Sequence, residues 1–142
     1  TGIVADKREG DGGTPAGRHP LRNVYFRDDR VSVPVTCLPV VALTGEDGWC
    51  DDPKDRAYNQ PVKLPYRARC EKLWRDDHLY DVIVVLGYND DPAVAGRGSA
   101  IFLHVAGEAY APTEGCIALA LNDLLHLLSS VDVGAVVEVE PI

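Results

Sequence analysis

The stretch DVIVVLGY, residues 81–88, decides the fold class of this chain. It is a continuous apolar run rich in β-branched residues, and it is too short for a typical helix, so it predicts a buried strand. A second run, SAIFLHV at residues 99–105, predicts another central strand. The middle of the chain is therefore expected to supply the core of a sheet.

Shorter elements flank this pair. Residues 20–28 and 33–43 are β-branched and aromatic and predict strands, with Pro34 and Pro39 favouring a sheet edge or strand ends. Residues 133–140 alternate between apolar and polar side chains and predict the last strand.

One helix is expected near the C-terminus. Asn122 can cap a helix over residues 123–130. Four leucines would form its buried face, namely Leu124, Leu125, Leu127 and Leu128. Many strands and one helix predict a mainly β domain with the helix packed on one side, and the length of 142 residues fits one domain over residues 1–142.

Residues 44–79 look different from the rest. They contain both tryptophans, several prolines and many charges. We expect a long loop region here, with a short helix near residues 70–74. A loop of this length is uncommon unless it has a function.

Charge and composition exclude several classes of function. The formal net charge is −8, which disfavours binding to nucleic acid or to anionic lipid. The glycine-rich segment at residues 10–17 lacks the G-K-[ST] ending of a phosphate-binding loop, so we expect a structural turn. No apolar run approaches the ~20 residues that span a bilayer. The chain starts at Thr1 and contains no Met, so we expect a processed product whose signal segment or membrane anchor is not visible.

The four cysteines do not predict a metal site. Cys37, Cys50, Cys70 and Cys116 contain no C-x-x-C pair and fit no zinc-finger spacing, so no metal is expected. Cys37 lies in an apolar stretch and is expected to be buried. Cys50 and Cys70 flank the predicted loop and could pair in an oxidising compartment, which the sequence alone does not decide.

A cysteine and a histidine form the candidate reactive pair. His104 ends a predicted strand, a loop follows at residues 107–115, and Cys116 comes twelve positions after the histidine. An imidazole that removes the thiol proton produces the thiolate, which is the nucleophile of acyl transfer. Gly115 allows the sharp bend that would present the thiol. Nearby backbone amides could then stabilise an oxyanion.

Two motifs resemble the YkuD family of L,D-transpeptidase catalytic domains. His104 followed by a loop and Thr113-Glu114-Gly115-Cys116-Ile117 resembles the family signature, a His and then Ser/Thr-x-Gly-Cys-hydrophobic. The stretch KREGDGGTPAG, residues 7–17, resembles the family segment K-x-G-D-G-x-T-P-x-G, about a hundred residues upstream. The resemblance implies a β-sandwich or barrel with one packed helix.

The resemblance also implies roles for the matching residues. Cys116 would be the nucleophile and His104 the general base. Thr113, Glu114 and Gly115 would shape the loop and the oxyanion hole. Glu114 stands where many members have His, and Ala118 where many have Arg or Asn. With its short loop, the chain resembles a divergent subgroup.

The implied reaction takes place on peptidoglycan, without a cofactor. Stem peptides would serve as donor and acceptor, carbapenems would acylate the cysteine, and the location would be the periplasm or cell envelope. The alternatives are an L,D-carboxypeptidase or amidase with the same Cys–His pair, and a non-catalytic wall-binding domain.

Several residues outside the motifs are candidates for binding substrate. Aromatic rings give rigid contact area and carboxylates can hold an ammonium group. The candidates are Trp49, Asp51, Asp52, Tyr58 and Asn59 in the predicted loop, together with Arg97. The alternative is that the tryptophan pins the loop to the core and that Arg97 is a solvated surface residue.

Overall fold

The fold is mainly β with one helix near the C-terminus, as predicted. The computed structural model describes residues 2–108 and 113–141. In chain order, the elements are β1 Ile3–Val4, β2 Thr14–Pro15, β3 Gly17–Phe26, β4 Val40–Ala42, β5 Asp47–Cys50, β6 Pro61–Lys63, β7 Cys70–Lys72, β8 Val82–Leu86, β9 Phe102–Val105, β10 Ile117–Leu119, α1 Leu121–Ser130 and β11 Val136–Val139.

Six strands form the large sheet, in the order β10-β9-β8-β3-β11 with β4 paired to β3. Strand β3 pairs through its first residues with β11 and through its later residues with β8 and β4. Pro20 has no amide hydrogen for the ladder, and the pairing register shifts between Leu21 and Asn23. Such an irregularity bends a strand, and β3 serves three partners along its length.

Both faces of the large sheet are covered, which explains its continuous apolar runs. Successive side chains of a strand point to opposite faces. On the helix side, β8 and β9 contribute Val82, Val84, Leu86, Leu103 and Val105. On the opposite side they contribute Ile83, Val85 and Phe102. A strand that is buried on both faces needs apolar residues at every position.

Helix α1 packs its leucines against the large sheet. Leu124 and Leu128 are fully buried. The prediction of an Asn122 cap is wrong, because the helix begins at Leu121, directly after β10, and Ala120 precedes it without a side-chain cap. Asn122 therefore lies in the first turn. No helix in residues 2–108 and 113–141 is long and apolar enough to cross a membrane.

Residues 44–79 contain the small sheet, in which β5 lies between β6 and β7. The prediction of a helix near residues 70–74 is wrong, since Cys70–Lys72 forms β7, and the predicted loop region is interrupted by these three short strands. The strands of the small sheet have only three or four residues, include polar side chains, and pair with partners distant in sequence. A window of a few mixed residues carries too little periodicity to reveal such strands.

The region before the small sheet also departs from expectation. Of the predicted strand at residues 33–43, only Val40–Ala42 is extended into the large sheet. Cys37 was expected to be buried, but its side chain is exposed. Pro34 and Pro39 lack the amide hydrogens of a ladder, and among residues 2–108 and 113–141 no strand pairs with the segment that contains Cys37.

Candidate active site

A cavity of about 640 Å³ opens on the small-sheet side of the large sheet. Its lining combines strand β7, the segment before β8, strand β9 and the loop before β10. The residues that line it are Glu9, Asp51, Arg69, Cys70, Glu71, Arg75, Leu79, Tyr80, Ser99, Ala100, His104, Gly107, Thr113, Glu114 and Cys116. The predicted nucleophile and base therefore face the same space.

His104 is held as a neutral imidazole with a defined tautomer. Its Nδ1 lies 2.8 Å from the carbonyl oxygen of Val105, and a carbonyl can only accept, so Nδ1 carries the hydrogen. This leaves Nε2 with the lone pair that a general base requires. The edge of the imidazole meets the ring of Tyr80, with centroids 5.4 Å apart. Burial lowers the pKa of His104 below its usual value.

Cys116 reaches the cavity through the parallel pairing of β10 with β9. Ala118 pairs with His104, so Cys116 lies opposite Phe102 and shares its face. The thiol donates a hydrogen bond to the carbonyl oxygen of Ala100 at 3.2 Å. Burial raises the pKa of the thiol to about 12, although the Phe102 amide acts in the opposite direction.

Both pKa shifts favour the neutral forms of Cys116 and His104. Within the described residues, the thiol bonds to the Ala100 carbonyl rather than to the ring of His104. A raised thiol pKa and a lowered imidazole pKa both oppose a thiolate–imidazolium ion pair before substrate binds. The arrangement suits proton transfer that accompanies attack on a bound carbonyl.

The loop before Cys116 is shaped by Thr113 and Gly115. The Thr113 hydroxyl donates to the Cys116 carbonyl oxygen at 2.6 Å. Gly115 has a φ of 92°, in the left-handed region that favours glycine, and a Cβ there would come within 2.8 Å of the Gly13 carbonyl oxygen. Residues 109–112 of the predicted loop lie outside the described residues.

That close approach joins the two motifs that are far apart in sequence. Gly13 belongs to the upstream motif at residues 7–17, and the buried Lys7 from the same motif also lies beside Gly115. The ammonium of Lys7 pairs with Asp11 at 2.5 Å. Burial raises the pKa of Asp11, but the Lys7 ammonium and two backbone amides together lower it to about 2. The glycine-rich segment is therefore a structural turn that supports the loop before Cys116.

Sequence reasoning missed a polar pair beside the reactive residues. The Tyr80 hydroxyl donates to the Glu71 carboxylate, and the same ring contacts His104. Burial raises the pKa of Glu71, and the bond from Tyr80 opposes this effect. Tyr80 directly precedes the apolar run at residues 81–88, and this position beside a predicted strand is a sequence signal that could have pointed to it. Glu71 had no local signal, because its strand was not predicted.

The predicted substrate-binding residues divide into two groups. Trp49, Tyr58 and Asn59 are buried, and the Trp49 Nε1 donates to the Asn59 Oδ1 at 2.9 Å. They lie outside the lining of this cavity, and their burial favours the alternative that they pin this region to the core, while a contact with substrate stays a prediction. Asp51 lines the main cavity.

Asp52 and Arg97 do not line that cavity. Arg97 is exposed, and its carbonyl oxygen accepts a hydrogen bond from the Tyr88 hydroxyl at 2.6 Å. The solvated-surface interpretation of Arg97 therefore fits the structure better than a contact with substrate.

A buried strand face that places a cysteine and a neutral histidine in one cavity defines a candidate cysteine-nucleophile acyl-transfer site. The model of the YkuD L,D-transpeptidase catalytic domain matches residues 1–139, and the chain belongs to this family. Members of the family are cysteine-dependent L,D-transpeptidases that act on peptidoglycan stem peptides. Searches of the curated proteins and of the solved structures found no match.

Proposed function

We propose that this domain is a peptidoglycan L,D-transpeptidase that works through a thioester on Cys116. The observation that carries the proposal is that Cys116 and His104 line one cavity, with the His104 Nδ1 hydrogen bonded to a backbone carbonyl. Nε2 is then the nitrogen available to the thiol proton. The family match supplies the class of substrate, a stem peptide.

Acylation would begin from the neutral pair. As Sγ of Cys116 attacks the donor carbonyl, the His104 Nε2 takes the thiol proton and a tetrahedral oxyanion forms. Collapse breaks the carbon–nitrogen bond, and the imidazolium returns the proton to the leaving amine of a terminal D-amino acid. The raised thiol pKa means that this base is needed even to generate the nucleophile.

We assign the oxyanion to backbone amides at the bend formed by Gly115 and Cys116. Gly115 has a backbone conformation that favours glycine, and the Thr113 hydroxyl donates a hydrogen bond to the Cys116 carbonyl oxygen. The backbone amides of this bend are therefore fixed before reaction. A preorganised donor of this kind contributes about 3–4 kcal/mol to acyl transfer.

Deacylation would use the amine of a second stem peptide. The cavity lining includes four carboxylates and two guanidinium groups, from Glu9, Asp51, Glu71, Glu114, Arg69 and Arg75. Arg69 is already paired with Asp51 at 3.0 Å, and Arg75 is paired with Asp77 outside the lining. The remaining excess of negative charge favours the approach of a cationic acceptor stem. We further propose action at the cell envelope and acylation by carbapenems.

The proposal is tested by incubating the purified domain with disaccharide-tetrapeptide and analysing the products by mass spectrometry. Loss of the terminal D-amino acid together with a cross-linked dimer supports transpeptidation, and Cys116→Ala should yield neither product. Release of the amino acid without a dimer would instead establish a carboxypeptidase. No release and no carbapenem adduct on the native protein would establish a non-catalytic domain.

A further inference from the structure

Two cysteines outside the Cys116 site lie directly across neighbouring strands of the small sheet. Cys50 ends β5 and Cys70 begins β7, and their Cα positions are register partners in the antiparallel pairing. Directly opposed residues of such a pair place their side chains on the same face. The fold thus brings together two thiols that lie twenty positions apart in sequence.

The type of pairing at this position is favourable for a covalent bridge. The Asp51 amide donates to the Arg69 carbonyl, and the Leu73 amide donates to the Asp47 carbonyl, so those two pairs are hydrogen bonded. Hydrogen-bonded and non-hydrogen-bonded pairs alternate along an antiparallel ladder, which makes Cys50 and Cys70 a non-hydrogen-bonded pair. Such pairs have Cα atoms roughly 4.5 Å apart, within the roughly 4.4–6.8 Å range of disulfides.

The two thiols differ in exposure, and this difference determines which of them reacts first. Cys50 is fully buried, whereas Cys70 is partly exposed and lines the main cavity. Burial raises the pKa of Cys70 to about 11, and the nearby Cys50 thiol adds to this effect. Because Cys70 is the more exposed of the two cysteines, an oxidant reaches it first, and the buried Cys50 is the resolving partner.

We propose that Cys50 and Cys70 form a redox-dependent cross-strand disulfide that fastens one side of the main cavity. The oxidant is the disulfide of another molecule, either a small molecule or a thiol oxidoreductase. The Cys70 thiolate attacks one of its sulfurs and expels a thiolate; the Cys50 thiolate then attacks the Cys70 Sγ and expels the second. Two protein thiols are oxidised by two electrons, one disulfide is reduced to two thiols, and the two protons pass to the released thiolates.

The bridge would act on the cavity through the strand that it tethers. Glu71, which follows Cys70 in β7, accepts the hydrogen bond from Tyr80, and Tyr80 contacts His104. Tying β7 covalently to the central strand β5 limits how far this side of the cavity can move. The inference does not rest on the proposed function, because it concerns thiols that the acyl-transfer step does not use.

The test uses the intact chain with Cys37→Ser, which removes the exposed third thiol. The protein is treated with oxidised glutathione, blocked with N-ethylmaleimide in denaturant and analysed by intact mass. We expect loss of 2 Da and protection of two thiols. Trypsin without reductant should leave residues 31–54 joined to residues 70–72, because it cleaves after Arg30, Lys54, Arg69 and Lys72. The melting temperature should rise by about 5–10 °C on oxidation, as expected for closing a loop of this length.

A matched variant separates the bridge from other effects of the oxidant. With Cys70→Ser added, the loss of 2 Da and the rise in melting temperature should both disappear. Failure of the parent to lose 2 Da would overturn the proposal. So would a link between residues 70–72 and residues 98–142, which contain Cys116, or a disulfide found only between two copies of the chain. None of these readouts depends on peptidoglycan turnover.

Discussion

The large and small sheets differ in strand length and in the side-chain contacts of their strands. The central strands of the large sheet are apolar on both faces and fill two cores. The small sheet has short strands joined by polar contacts, such as the Lys63–Asp47 pair at 2.6 Å and the Arg69–Asp51 pair at 3.0 Å. His104 lies in β9 of the large sheet, and Cys116 directly precedes its strand β10. The small sheet covers them and shapes the cavity.

The junction between the two sheets is both aromatic and polar. Trp49 of β5 meets Phe102 of β9 edge to face, with centroids 5.1 Å apart. The buried Asn59 accepts from the Trp49 Nε1 and the Ala100 amide, and its own amide donates to the carbonyl oxygens of Tyr88 and Asn89. The predictions below test how far the two regions act separately.

The largest effect is expected at His104. We expect His104→Gln to slow carbapenem adduct formation on Cys116 by about 10³-fold, because the base that removes the thiol proton is lost. The measurement is intact mass against time. The matched control is His19→Gln in β3, since His19 is also buried and its ring nitrogen bonds to a backbone carbonyl, that of Pro15 at 2.9 Å. A slowing of less than tenfold in His104→Gln would remove it from the reaction.

A smaller effect, on stability, is expected at the junction. We expect Asn59→Ala to lower the free energy of unfolding by about 3 kcal/mol, because buried partners in both regions lose their hydrogen bonds. Urea denaturation measures the change. The exposed Asn122→Ala should change it by less than about 0.5 kcal/mol. Equal values for the two variants would mean that Asn59 does not hold the sheets together.

The loop before Cys116 allows a comparison of two glycines that share the same left-handed backbone conformation. Gly115 and Gly134 have φ values of 92° and 93°, but a Cβ at Gly134 meets nothing within 4 Å. We expect Gly115→Ala and Gly134→Ala each to cost about 1–3 kcal/mol in unfolding free energy. Only the first should also slow acylation, by at least tenfold, since it displaces the loop from Gly13. Equal acylation rates would show that the loop tolerates the shift.

The smallest effect is the dependence of stability on pH. Burial holds the pKa of His104 below 6.5 in the folded protein, so the unfolded chain binds more protons as the pH falls through that value. The contribution of His104 is therefore present above pH 6.5 and is lost progressively below it. Urea titrations at pH 7 and pH 5 should show a larger loss for the native protein than for His104→Gln. Parallel losses would place the titrating group elsewhere.

The central strands of the large sheet were predictable from the sequence, whereas those of the small sheet were not. The strands at Val82–Leu86 and Phe102–Val105 and the leucines of α1 were predictable, because each carries a strong local pattern. The small sheet was missed, since its strands are too short for a period to appear. The sequence left open whether Trp49 contacts substrate or pins its segment to the core, because residue type does not say which partner covers an aromatic ring, and the structure buries both Trp49 and Tyr58.

The candidate site shows the same limit. The order and spacing of His104 and Cys116 were visible in the sequence, but their approach depends on β9 pairing in parallel with β10. Tyr80, Glu71 and Lys7 surround the site without any pattern that would have assigned them to it. Each reaches it through contacts between distant segments.

The amino-acid sequence by itself determined the family, the apolar strands and which cysteine and histidine are the candidates for a reactive pair. These properties reside in local patterns: the free energy of burying an apolar run, and motifs that carry a thiol and an imidazole. Only the tertiary structure decided the neutral state of that pair, the composition of the cavity and the opposition of Cys50 to Cys70. The physical reason is that burial and strand register are set by contacts between residues tens of positions apart, which no local stretch of sequence contains.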